Sequence, residues 1–130
     1  MRLFDDIIEL LQKVLAPYPL PDPTVQIAVQ ALQTSSLERL QQQVSALVSE
    51  RKRVETTLQQ TPMTLMAESD TNFLLYQCED AAELVSTLAE KGLLIRNQSA
   101  QRGLNNVVRI TIGSAAENDE LIQQLKDYFS

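Results

Sequence analysis

Val107-Val108-Arg109-Ile110-Thr111-Ile112, closed by Gly113 and followed by Ser114-Ala115-Ala116-Glu117, holds a change of hydrophobic period. Six residues rich in β-branched side chains predict a strand, and the glycine predicts its end. Ser114 with Glu117 three residues on has the form of a capping box. It opens a helix whose buried stripe is Leu121, Ile122, Leu125 and Phe129. Alternation along the strand sets Val108, Ile110 and Ile112 on one face and Val107, Arg109 and Thr111 on the other.

Working back toward the N-terminus, a polar loop with Gly103 and Asn105-Asn106 separates this strand from Leu93-Leu94-Ile95-Arg96, which reads as another. Before it, Asp80 with Glu83 caps a helix that turns Leu84, Val85 and Leu88 inward and ends at Gly92. Met63–Ala67 and Asn72–Tyr76 are short apolar runs on either side of the polar turn Glu68-Ser69-Asp70, and both predict strands. The first half is helical. Ile7, Leu10, Leu11, Val14 and Leu15 recur at helical spacing up to Ala16, where Pro17, Pro19, Pro21 and Pro23 impose an extended connector. Asp22 reads as an N-cap with Pro23 at the first helical position. Ser35 with Glu38 reads as the start of one long helix that ends before Pro62, its stripe of Leu37, Leu40, Val44, Leu47, Val54 and Leu58 broken by Arg51. The expected fold class is therefore α+β: N-terminal helices including one long helix, then β-β-α-β-β-α with the helices packed on one face of a small sheet.

Composition removes several functions. With 17 acidic and 11 basic residues in 130, the net charge of −6 disfavours a phosphate-backbone binder, and no nucleic-acid partner is expected. The chain has no histidine and one cysteine, Cys78, so it has neither the usual near-neutral base nor a set of thiolates for zinc. No metal site is expected. Cys78 reads as a small packing residue, because no histidine can activate it. Asp5 and Asp6 sit where a secretory signal needs an uncharged run, and no segment reaches the length of a membrane span. A cytoplasmic setting without membrane contact is expected. Gly92, Gly103 and Gly113 are too scattered for a phosphate-cradling loop. Asp5, Asp6, Glu38, Asp80, Glu83, Glu117 and Asp119 fall at helix starts or on polar faces, where capping and solvation explain them. Lys13, Lys52, Lys91 and Lys126 lie in amphipathic helices or at helix ends, so none reads as a desolvated nucleophile.

Arg96 and Arg109 are the informative cations, since both fall on strands. Two guanidinium forks on neighbouring strands match a carboxylate or phosphate bidentately. On the residues alone, a pair of exposed arginines on a half-wet sheet stands as the simpler alternative to an anion clamp. Asn72, before Phe73, reads either as a ligand-orienting side chain or as a turn residue at the strand entry.

The runs Leu15-Ala16-Pro17-Tyr18-Pro19-Leu20, Thr71-Asn72-Phe73-Leu74-Leu75, Gly92-Leu93-Leu94-Ile95-Arg96 and Val108-Arg109-Ile110-Thr111-Ile112-Gly113, with Glu117-Asn118 downstream, resemble in order and spacing the C-terminal part of histidinol-phosphate aminotransferase, a fold-type I aminotransferase dependent on pyridoxal phosphate. The resemblance spans essentially the whole chain. It implies residues 1–23 as an interdomain helix and Pro-rich connector and 24–130 as the small domain. It also implies amino transfer between histidinol phosphate and glutamate or 2-oxoglutarate, in histidine biosynthesis, by a homodimer. Arg109 matches a family arginine that anchors an anionic end of the substrate, and Arg96 one near the substrate phosphate. Asn97 stands where many relatives have aspartate, and Val107 where cysteine is common. The family's Schiff-base lysine and cofactor phosphate cup precede the matched region. Hence the expectation is a chain inactive alone, with no catalytic residue and no bound cofactor of its own, completed by a large domain. The alternative is a stand-alone small-ligand regulatory or dimerisation module.

Overall fold

The computed structural model describes residues 2–15 and 20–130. The expected connector lies partly outside them, at residues 16–19. Elements follow in the order α1 (Arg2–Val14), α2 (Asp22–Ala31), α3 (Thr34–Leu58), β1 (Thr64–Leu65), β2 (Phe73–Gln77), α4 (Ala81–Glu90), β3 (Arg96–Asn97), β4 (Val107–Thr111) and α5 (Ala115–Tyr128). The fold is α+β, as expected. Two compact units divide between Leu40 and Gln41, inside α3.

In the unit up to Leu40, α1 and α2 carry apolar residues at helical spacing, yet none of their described side chains is buried. The start of α2 differs from the sequence reading by one residue. Pro21, extended at φ −60° and ψ 140°, is the N-cap, and its carbonyl accepts the amides of Thr24 and Val25; Asp22 and Pro23 already lie in the first turn. The long helix also begins without the expected box at Ser35. Its start is set at Gln33, whose carbonyl accepts the amides of Ser36 and Leu37, because only Leu32 and Gln33 separate it from α2.

In the unit from Gln41, the four strands form an antiparallel sheet in the order β1-β2-β4-β3. Leu74 pairs with Ile110 and Tyr76 with Val108, so these side chains share one face. That face meets Val54 and Leu58 of α3, Leu84 and Leu88 of α4, and Leu121, Ile122 and Leu125 of α5 in a single core. Helices therefore cover one side of the sheet. α4 starts on the Asp80 carboxylate, which accepts the amides of Ala82 and Glu83. It ends in a Schellman motif: Gly92 at φ 84°, with the Leu93 amide donating to Leu88 O and the Gly92 amide to Ala89 O. α5 starts on the complete Ser114–Glu117 capping box.

Both outer strands are shorter than their apolar runs. β1 keeps two residues of Met63–Ala67, and Met63 is buried in the core without strand pairing. β3 is Arg96–Asn97 rather than Leu93–Arg96, because Leu93 completes the α4 cap and Leu94 and Ile95 bridge the turn to the edge.

Candidate functional site

The face of the sheet away from the helices carries Phe73 and Leu75 of β2 and Val107, Arg109 and Thr111 of β4, by the register Phe73 with Thr111 and Leu75 with Arg109. Arg96 of β3 pairs directly with Arg109 across the edge. Directly opposed residues of an antiparallel pair hold their Cβ atoms about 5 Å apart on the same face. The two arginines thus stand side by side. Both line a hollow of about 430 Å³ whose other walls are Leu94, Ile95, Asn97 and Thr111. Asn97 is turned into the backbone by accepting the Ser99 amide at 2.8 Å, which closes the turn after β3.

Arg96 is exposed and Arg109 half-buried. Like charges directly opposed across a ladder repel, so the pair carries an electrostatic cost that a shared anion would remove. No carboxylate bridges either arginine among the described residues. The Nε of Arg109 is buried and has no hydrogen-bond partner among the described residues. Its guanidinium carbon lies 5.3 Å from the centroid of the Phe73 ring, a cation–π distance. An aromatic ring beside one guanidinium, two charged forks and no counter-ion among the described residues are chemically suited to an anion. They supply no general base and no nucleophile.

The other groups considered in the sequence lie elsewhere. Lys13, Lys52, Lys91 and Lys126 are all exposed. The Cys78 thiol is pushed up by burial and by the Asp80 carboxylate, the opposite of an activated thiolate. Asn72 does not enter the hollow's lining; its carbonyl accepts the Ile112 amide at 2.8 Å at the end of the ladder. Asn118, which entered the sequence reading only as part of the family resemblance, has a structural role. It is 1% exposed, its Oδ1 accepts the Gly113 amide, and its Nδ2 donates to Gly113 O and to Glu50. Arg53 forks onto Glu50 and also reaches Asp119, which joins α3 to α5.

Residues 4–125 match the family model for aminotransferase class I and II. The chain belongs to this family. It is 85% identical over 126 residues to histidinol-phosphate aminotransferase 2 of Idiomarina loihiensis, covering 97% of this chain and 35% of the relative. It is 41% identical over 122 residues to histidinol-phosphate aminotransferase 1 of Pasteurella multocida, covering 93% and 35%. The fold is similar to the crystal structure of the histidinol-phosphate aminotransferase from Clostridium acetobutylicum, with a TM-score of 0.74 at 20% identity over 95% of this chain and 37% of that one. The chain spans about a third of the length of the curated relatives it matches. Class I and II aminotransferases work with pyridoxal phosphate; the four lysines of this chain are exposed, and none offers a desolvated amine for it.

Proposed function

We propose that residues 24–130 are the small domain, and residues 1–23 the interdomain helix and connector, of a histidinol-phosphate aminotransferase. In this reading Arg109 and Arg96 grip an anionic group of the substrate while protein outside this chain handles the reacting amine. The parent is a cytoplasmic homo-oligomer dependent on pyridoxal phosphate, acting in histidine biosynthesis, and this chain alone is inactive. One observation carries the reading: two arginines paired across β3 and β4 over one hollow, with no carboxylate among the described residues to neutralise them.

The role of each group follows from its chemistry. Arg109 is the anchored fork, held from below by Phe73, so little side-chain entropy remains to be lost on binding. Arg96 is the exposed fork that closes from the sheet edge. Together they fix the anionic end of a substrate and so set where its amine is presented.

A chimaera tests this directly. The chain replaces the matching third of the Idiomarina loihiensis relative, and amino transfer from histidinol phosphate is assayed. Activity is expected, and Arg109→Ala is expected to raise KM for the anionic substrate by about tenfold or more, the factor for losing a charge-assisted contact worth ~1.5 kcal/mol or more. A folded, active chimaera whose KM is indifferent to Arg109→Ala overturns the reading.

A further inference from the structure

Arg51 stands at an apolar place in the stripe of α3, and it is 9% exposed. A buried guanidinium ordinarily meets a carboxylate. This one has no ion pair among the described residues; its Nη1 instead donates to the carbonyl of Thr71 at 2.6 Å, twenty residues on. Thr71 belongs to the turn that delivers the chain into β2.

That turn is tied to Phe73 by hydroxyls. Ser69 Oγ lies 2.9 Å from Thr71 Oγ1, and Ser69 Oγ donates to Phe73 O at 2.6 Å. The Thr71 amide donates to Ser69 Oγ, and Thr71 Oγ1 also lies within reach of both the amide and the carbonyl of Phe73. Phe73 is thus held at both backbone polar groups just where the strand begins. Its ring is the surface against which the Arg109 guanidinium rests.

We infer that Arg51 is a positioning residue for Arg109, acting through the Thr71 carbonyl, the Ser69–Thr71 hydroxyl pair and the Phe73 ring. The inference deepens the anion-site reading and rests on it for its functional meaning. Three features carry it. The hydrogen bond from Arg51 is directed at the turn rather than at a counter-ion, so the charge does not serve an ion pair. The turn is over-determined by side-chain contacts that converge on one residue. That residue is the one in stacking distance of the arginine whose Nε lacks a partner and whose orientation no other described hydrogen bond fixes. Arg51 lies on the helix-covered side of the sheet, so it sets the open face without touching a ligand bound there.

The test uses the full chain with ¹⁵N-labelled arginine side chains, titrated with inorganic phosphate. In the wild-type chain the Arg109 δ-protons and Nε–Hε carry a ring-current shift from Phe73. Arg51→Met is expected to reduce that shift before any phosphate is added. It is also expected to weaken phosphate binding by about fivefold, the factor for a cation–π contact of ~1 kcal/mol. Arg51→Lys, which can still donate to Thr71 O, should restore most of both. Val54→Ala, a core truncation in the same helix, should lower the melting temperature and leave the Arg109 signals unchanged. If Arg51→Met does not fold, Ser69→Ala breaks the same relay without touching the core and should give the same two changes. Arg109 signals unchanged in a folded Arg51→Met or in Ser69→Ala overturn the positioning role. Absence of phosphate binding in the wild-type chain contradicts the anion-site reading instead, and leaves the ring-current comparison to decide the role of Arg51.

Discussion

Arg109 has Arg96 directly across the ladder, which repels it, and the Phe73 ring in stacking distance, which attracts it. Alternation along Val107–Ile112 was enough to place it on the face opposite Val108 and Ile110, because a strand's period is two whatever packs on it. The burial of Val107 on that same face was not legible, since it depends on what covers the sheet locally. Nor were Arg51 and Asn118. Each satisfies partners far away along the chain, Thr71 for one and Glu50 for the other, and composition carries no signal for such pairing. Asn118 therefore yields a prediction at this scale. Asn118→Ala leaves the Gly113 amide and carbonyl without their side-chain partner inside the protein and should cost about 2–3 kcal/mol in urea unfolding, the range for unsatisfied buried polar groups. A loss below ~0.5 kcal/mol would show that Gly113 rearranges freely.

Local chemistry decided the elements that were read correctly. Asp80 and Ser114 cap their helices with groups two or three residues away, and Gly92 takes the positive φ its cap requires, so sequence proximity sufficed. Ser35 failed as a cap because α2 ends so close before it that Thr34 is already helical. Proximity to a neighbouring element overrode a correct motif. β3 starts three residues later than its apolar run for a similar reason: Leu93 is claimed by the end of α4. Ser114→Ala should destabilise by about 1 kcal/mol through loss of the box, measured by thermal or urea unfolding. Stability should also depend on pH through two carboxylates. Arg53 and Asn118 hold the Glu50 carboxyl below the usual range, and the Ser114 amide and hydroxyl do the same for Glu117. A depressed folded-state pKa contributes stability that is present above the ordinary glutamate value of about 4.3 and is lost as pH falls through the folded value. The urea midpoint should therefore drop between about pH 5 and pH 3, and Glu50→Gln should flatten that drop. A midpoint independent of pH in this window would contradict the Glu50–Arg53–Asn118 linkage.

The whole molecule divides its labour. The unit from Gln41 contains the core, with Val54, Leu58, Leu84, Leu88 and Leu125 fully buried, while Phe4, Ile8, Leu10 and Val14 of α1, Ile27 and Val29 of α2 and Leu32 just after it are exposed. Amphipathic helices with open apolar faces invite association. The full chain is expected to self-associate in sedimentation, and a chain starting at Thr34 should do so less while melting within about 4 °C of the full one, a shift of ~1 kcal/mol or smaller for this size. A strictly monomeric full chain at high concentration would remove the association. The anion grip is the claim on which the functional reading turns, and side-chain NMR addresses it most directly. On titration of the ¹⁵N-arginine-labelled chain with inorganic phosphate, the Nε–Hε signals of Arg96 and Arg109 should shift together along one saturating curve, and Arg109→Lys should abolish the response of Arg96. Signals that move along separate curves, or do not move while other arginines respond, would contradict a site shared between the two strands.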